Sequence, residues 1–245
     1  MDIPDYFVLA CVASVLVGLS KGGLPTVGML GVPLLSLMIP PLTATTLLLP
    51  VFVISDWVGI YLYRKQFSWI NLKRLVPAGV LGVALGWGLA AFISDQILSL
   101  LIGVVGVAFC LNMWIRPPAA TGQAPGVWSG YFWGALSGFT SFISHSGGPP
   151  FQIYVLPQRL PKLVFAGTST IFFAIINASK IWPYQALRPY SLDTLVLAGA
   201  LIPFAIAGTV AGAYLTQRIH EKWFYWFIQV SLFAVSIKLV VMGLG

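Results

Sequence analysis

Charged side chains are nearly missing from this sequence. They make up 8% of its 245 residues, and only six of those residues are acidic, against roughly 25% charged in soluble domains. No hydrophilic stretch is long enough for a separate soluble domain, so one membrane domain over residues 1–245 is expected. Strict alternation of apolar and polar residues is also lacking, which disfavours a transmembrane barrel and favours helices. The two cysteines, Cys11 and Cys110, both lie in apolar runs and read as packed thiols rather than a disulfide or metal pair. No basic residue precedes the first apolar run, where Asp2 and Asp5 stand instead, so no cleaved signal is expected. No HExxH or other metal-ligand spacing occurs, and no cofactor is implied.

What remains is apolar: 58% of the residues, with a mean hydropathy of +0.92. Continuous apolar segments fall at about 6–20, 27–39, 41–63, 74–94, 96–115, 127–145, 150–158, 163–184, 192–216 and 223–243. Stretches such as "KGGLP", "PP" at Pro40 and Pro41, "SGGPP" and "RLPK" separate them. Segment 27–39 would form only about 20 Å of helix, and 150–158 still less, so neither spans a core of roughly 30 Å. Each follows a Gly-Gly stretch. A broken or re-entrant helical hairpin with that stretch at its tip is the expectation for both.

The halves repeat. Pro40 and Tyr63 match Pro161 and Tyr184 at an offset of 121, and Pro77, Gly82 and Gly86 match Pro203, Gly208 and Gly212 at an offset of 126. The expected fold is therefore an all-α integral membrane protein built as an inverted repeat. Residues 1–116 form the first repeat and 127–245 the second, joined by a linker over 117–126, and each holds one hairpin plus three long transmembrane helices. An odd number of spans per half inverts the second half. With both termini outside, nine basic residues (Arg64, Lys65, Lys73, Arg74, Arg116, Arg159, Lys162, Arg218, Lys222) face the cytoplasm and only Arg188 faces outward. The net charge of +7 is thus an orientation signal and gives no reason to expect a nucleic-acid partner.

Inverted repeats with interrupted helices characterise secondary transporters, whose substrate sits near the midplane between the hairpin tips. A helix starting after "GGLP" or "GGPP" turns unpaired N–H groups and a partial positive charge towards its tip, and proline suits its first turn. Glycines admit a close backbone approach, so the tips suit a small anion. Candidate substrate-binding residues are Ser20, Lys21, Gly22 and Gly23 at the first tip, with Ser144, His145, Ser146, Gly147 and Gly148 at the second. Asp56, in "VISDWVGIYLY", could be a proton site, a lysine partner or a snorkelling group, and its counterpart at offset 121 is Asn177. Lys180 stands close to Pro183 and Tyr184, where interfacial anchoring and substrate contact are both open. Trp69, Trp128, Tyr184, Tyr190 and Trp223 read as interfacial belts, and the Gly-x3-Gly pairs at 82/86, 134/138 and 208/212 as helix-packing seams.

The stretches "GLSKGGLPTVGMLGVPLLSLMIPPLTAT", "GFTSFISHSGGPPFQIYVLPQRLPKLVFAGTS" and "NASKIWPY" resemble the sulfite exporter TauE/SafE family of membrane transporters over nearly the whole chain. The resemblance implies a multi-pass protein of the bacterial inner membrane that moves sulfur-containing anions such as sulfite, thiosulfate or an organosulfonate. It does not choose among them. An anion channel and an intramembrane enzyme are the alternatives. "SHSGG" sets serines beside a histidine, but neighbouring side chains on a helix diverge by about 100°, which is poor geometry for a catalytic dyad, and no catalytic residue is expected.

Overall fold

The computed structural model describes residues 4–89, 95–115, 126–187 and 189–244, with all their side chains except those of residues 41, 42, 95, 98, 99, 102 and 144. Arg116, Arg188, most of the expected linker and the side chain of Ser144 therefore lie outside the described part. Every described element is helical. The first set comprises α1 (Phe7–Lys21), a 3-10 turn (Val27–Leu30), α2 (Gly31–Leu35), α3 (Pro41–Tyr63), α4 (Trp69–Leu89) and α5 (Asp95–Ile115). The second comprises α6 (Val127–Ser144), α7 (Gly148–Val155), a 3-10 turn (Leu156–Gln158), α8 (Lys162–Leu187), α9 (Leu192–Arg218) and α10 (Glu221–Leu244). One order thus occurs twice: a long helix, a short broken element, three long helices.

Local chemistry sets the boundaries. Pro40 is extended at ψ 140°, and Pro41 opens α3, where its missing N–H leaves nothing unpaired. Ser191 caps α9 by accepting a hydrogen bond from the Thr194 N–H. The α4 helix begins at Trp69, five residues before the apolar run that announces it. Ser68 Oγ accepts from the Asn71 amide at 3.0 Å, and the Lys73 ammonium sits 5.5 Å above the Trp69 ring, so an amphipathic first turn is held without hydrophobic periodicity. In the first short segment the expected helix over 27–39 is a 3-10 turn plus only five α-helical residues, in a stretch where Gly28, Gly31 and Pro33 all lower helix propensity. Prolines 50, 77, 183 and 203 are accommodated inside long helices.

Five helices among the described residues are long and apolar enough to cross a membrane: 43–63 of α3, α4, α8, α9 and α10. This is a multi-pass membrane protein. Helix α1 packs on α9, α6 on α4, α3 on α8 and α5 on α10. Glycine makes the first two approaches possible. A Cβ at Gly18 would stand 2.0 Å from Ala205 O, and one at Gly138 would stand 1.9 Å from Gly79 O. Gly82, Gly134, Gly208 and Gly212 likewise face neighbouring backbone, which makes these glycines close-packed seams. Trp69, Trp128 and Trp223 are exposed on the helix surface, whereas Tyr184 is not part of a belt: it is buried and donates to Phe142 O at 2.8 Å. One apolar cluster gathers around Phe151, Phe165 and Phe172, and a second around Val17, Leu48, Val51 and Phe52.

Candidate anion site between the two Gly-Gly tips

The last turn of α1 delivers Ser20 and Lys21 into the protein interior. Ser20 Oγ donates to Val17 O at 2.6 Å, and Lys21 O accepts from Thr170 Oγ1 of α8 at 3.0 Å. Gly23 then turns the chain at φ 111°, a conformation strained for any residue with a Cβ. The carbonyl of Gly22 is already engaged, accepting from Tyr63 Oη at 2.6 Å and Thr216 Oγ1 at 3.0 Å. A Cβ at Gly22 would meet backbone of Thr209 and Ala213, both at 2.5 Å. Gly22 and Gly23 therefore shape and anchor the first tip, and neither borders the cavity described below.

The second tip is built differently. Helix α6 ends on His145 in the left-handed region, φ 54°, with the Ser146 N–H returning to Thr140 O at 3.2 Å. Gly147 O accepts from Ser137 Oγ at 2.6 Å, which ties the tip back onto α6. Helix α7 starts at once from Gly148 with Pro149 and Pro150 in its first turn. His145 is buried between the Phe52 and Tyr184 rings, at centroid distances of 5.3 and 6.1 Å, and neither ring nitrogen has a hydrogen-bond partner. A left-handed histidine with two idle nitrogens is stored polarity.

Three further polar groups come from the long helices. Asp56 of α3 receives Lys21 Nζ on Oδ1 at 2.8 Å and Asn177 Nδ2 on Oδ2 at 2.8 Å. Of the three roles open to Asp56, lysine partner is the one the geometry displays. Asp56 and Asn177 stand 121 positions apart, the offset of the sequence repeat, and here they touch. The Lys21 ammonium also lies 4.9 Å from the Phe52 centroid. Lys180 is no interfacial anchor. It is 0% exposed and donates to Ser141 O at 3.2 Å and Ser141 Oγ at 3.1 Å.

Ser20, Lys21, Pro25 and Gly28 from the first tip, with His145 and Gly148 from the second, border one cavity of about 40 Å3. That is roughly three times what a single water needs on the same measure. Asn177 and Lys180 close it from α8, while Ser146 and Gly147 lie outside its lining. Sequence reasoning did not name Phe52, Ser141, Ser169, Thr170 or Phe173, which also line it. Ser141 stands one turn before His145 on α6, and "GTST" at 167–170 puts three hydroxyls in an apolar helix. Those were readable signals. The two phenylalanines carried none.

Compared with known families, residues 6–239 match the model of the family described as Sulfite exporter TauE/SafE. The chain belongs to the TauE/SafE family. No curated protein and no solved structure matches it. As a TauE/SafE member it sits among membrane transporters, and the match runs through both Gly-Gly tips and every helix that borders the cavity.

Proposed function

We propose that this protein is a secondary transporter for a small sulfur-containing oxyanion and that the anion occupies the cavity between the two tips. One observation carries the reading: residues from both Gly-Gly tips border a single cavity furnished with two buried lysines and a histidine whose nitrogens are idle. Buried cations in a membrane core are costly and are retained where an ion passes. The start of α7, aimed from Gly148, adds a partial positive charge on the same wall. Family membership supplies the substrate class, sulfite and related anions.

The inverted arrangement fits this mechanism. The twice-repeated element order, the reciprocal packing of α1 on α9 and α6 on α4, and the contact between Asp56 and Asn177 all support two halves related by an axis through the site. Rocking one half against the other would open the cavity alternately to either side. The nine-to-one loop bias supports an inner-membrane orientation with both termini periplasmic.

The experiment is flux of radiolabelled sulfite in proteoliposomes. Saturable flux that unlabelled sulfite on the opposite side accelerates is the expected result. Flux linear in concentration without counterflow would make the protein a channel, and no protein-dependent flux of any oxyanion would end the reading.

A further inference from the structure

The two buried lysines are not equivalent. Lys21 is neutralised where it stands, 2.8 Å from the Asp56 carboxylate, which is itself held by Asn177. Lys180 has no carboxylate within ion-pair distance among the described residues. Two of its three N–H donors go to the single residue Ser141, and it is 0% exposed. A buried ammonium without a counter-ion is a large unmet electrostatic demand.

We propose, resting on the anion-transport reading above, that Lys180 is the group that supplies charge to the substrate, that the Lys21–Asp56 pair contributes none, and that the site therefore prefers a singly charged oxyanion over a doubly charged one of the same size. The seat lies between Lys180, His145 and the start of α7 at Gly148, all of which border the cavity. The titratable groups bordering it are Lys21 from α1, His145 from the second tip and Lys180 from α8; Asp56 of α3 lies outside the lining, paired to Lys21, and Tyr184 Oη is committed to Phe142 O. With both lysines protonated, Asp56 ionised and His145 neutral, these groups sum to one net positive charge. A dianion would leave one negative charge uncompensated in a membrane core. An idle nitrogen of His145 can, according to its tautomer, either donate to an anionic oxygen or accept from an S–OH group, which also suits a singly protonated acid.

Sulfate and methanesulfonate test this well, because replacing one oxygen by a methyl group removes one charge at nearly constant size. Each is measured as a competitor of labelled sulfite on the purified full chain. Wild type should bind methanesulfonate more tightly than sulfate. Asp56→Asn frees the Lys21 charge and should move the affinity ratio towards sulfate by roughly 10- to 100-fold. Lys21→Met combined with Asp56→Asn removes the pair together and should restore the wild-type ratio. Lys180→Met should weaken both anions by roughly 10- to 100-fold.

A wild-type preference for sulfate, a ratio unmoved by Asp56→Asn, or a double variant with the ratio of Asp56→Asn would each overturn the charge assignment. So would anion affinity left unchanged by Lys180→Met, and these results leave anion transport standing. If Lys180→Met does not fold, the ratio in the other two variants still decides. No competition by any anion would remove the transport reading and this inference together.

Discussion

Two glycine-to-alanine changes, one methyl group each, should separate scaffold from site. At Gly138 the new Cβ would lie 1.9 Å from Gly79 O, a backbone atom that no rotamer change can move aside. Restoring ordinary contact requires α4 and α6 to part by more than about 1 Å, which forfeits a large share of the dispersion along that seam. Overpacking of this kind costs about 1–3 kcal/mol, and a backbone obstacle puts Gly138→Ala at the upper end. At Gly148 the new Cβ would lie 2.8 Å from Met29 Sδ, the yielding part of a flexible side chain. Because Gly148 opens a helix, alanine there carries no backbone strain and should leave stability unchanged or raise it by up to about 1 kcal/mol. The methyl group would nevertheless project from the wall of a cavity of about 40 Å3, where an anion must approach the backbone. Thermal unfolding in detergent, followed by a thiol-reactive dye reporting the 1% exposed Cys110, gives the stability of each variant, and sulfite titration gives the affinity. Gly138→Ala should lower the transition by several degrees. Gly148→Ala should keep the transition and lose at least about tenfold in affinity. Wild-type affinity in Gly148→Ala, or equal destabilisation of both variants, would refute the division.

Lys21→Ala leaves the Asp56 carboxylate buried without its ion partner and should cost about 3–5 kcal/mol, most of it recovered when Asp56→Asn is added, as the same thermal assay would read. Tyr63→Phe removes one of the two side-chain hydrogen bonds to Gly22 O and should cost about 1 kcal/mol, measured in the same way; no change would mean that the first tip is held otherwise. Single cysteines in place of Arg64 and Lys222, both exposed, should react with an impermeant maleimide only from the cytoplasmic side, and one in place of Asp193 only from outside; the opposite pattern would reverse the orientation.

Most of the helical architecture was legible because lipid imposes a simple rule, that backbone polar groups must pair within the segment. The α3 span was expected at 41–63 and runs Pro41–Tyr63. The expectation failed where another force sets the boundary. Helix α4 starts early because Ser68 and Trp69 stabilise a polar turn, and the first tip lacks a full helix in a stretch where Gly28, Gly31 and Pro33 lower helix propensity. At the site, the Gly-Gly stretches mark the tips, and Lys21, His145 and Gly148 border one cavity. Which lysine carries an internal counter-ion was not legible, since it depends on α1 meeting α3 and on α8 meeting α6 in space. Proximity in sequence to Pro183 and Tyr184 leaves interfacial anchoring and substrate contact both open for Lys180, while its chain length lets it reach Ser141 inside the fold.

Selenite in place of sulfite, with an experimental structure phased on selenium, gives the most direct test that the two tips enclose an anion. An anomalous peak in the cavity bounded by Lys21, His145, Gly148 and Lys180, within hydrogen-bonding reach of Lys180 Nζ, is the result expected. Selenium ordered only at loop lysines and arginines under saturating selenite, with that cavity unoccupied, would contradict it.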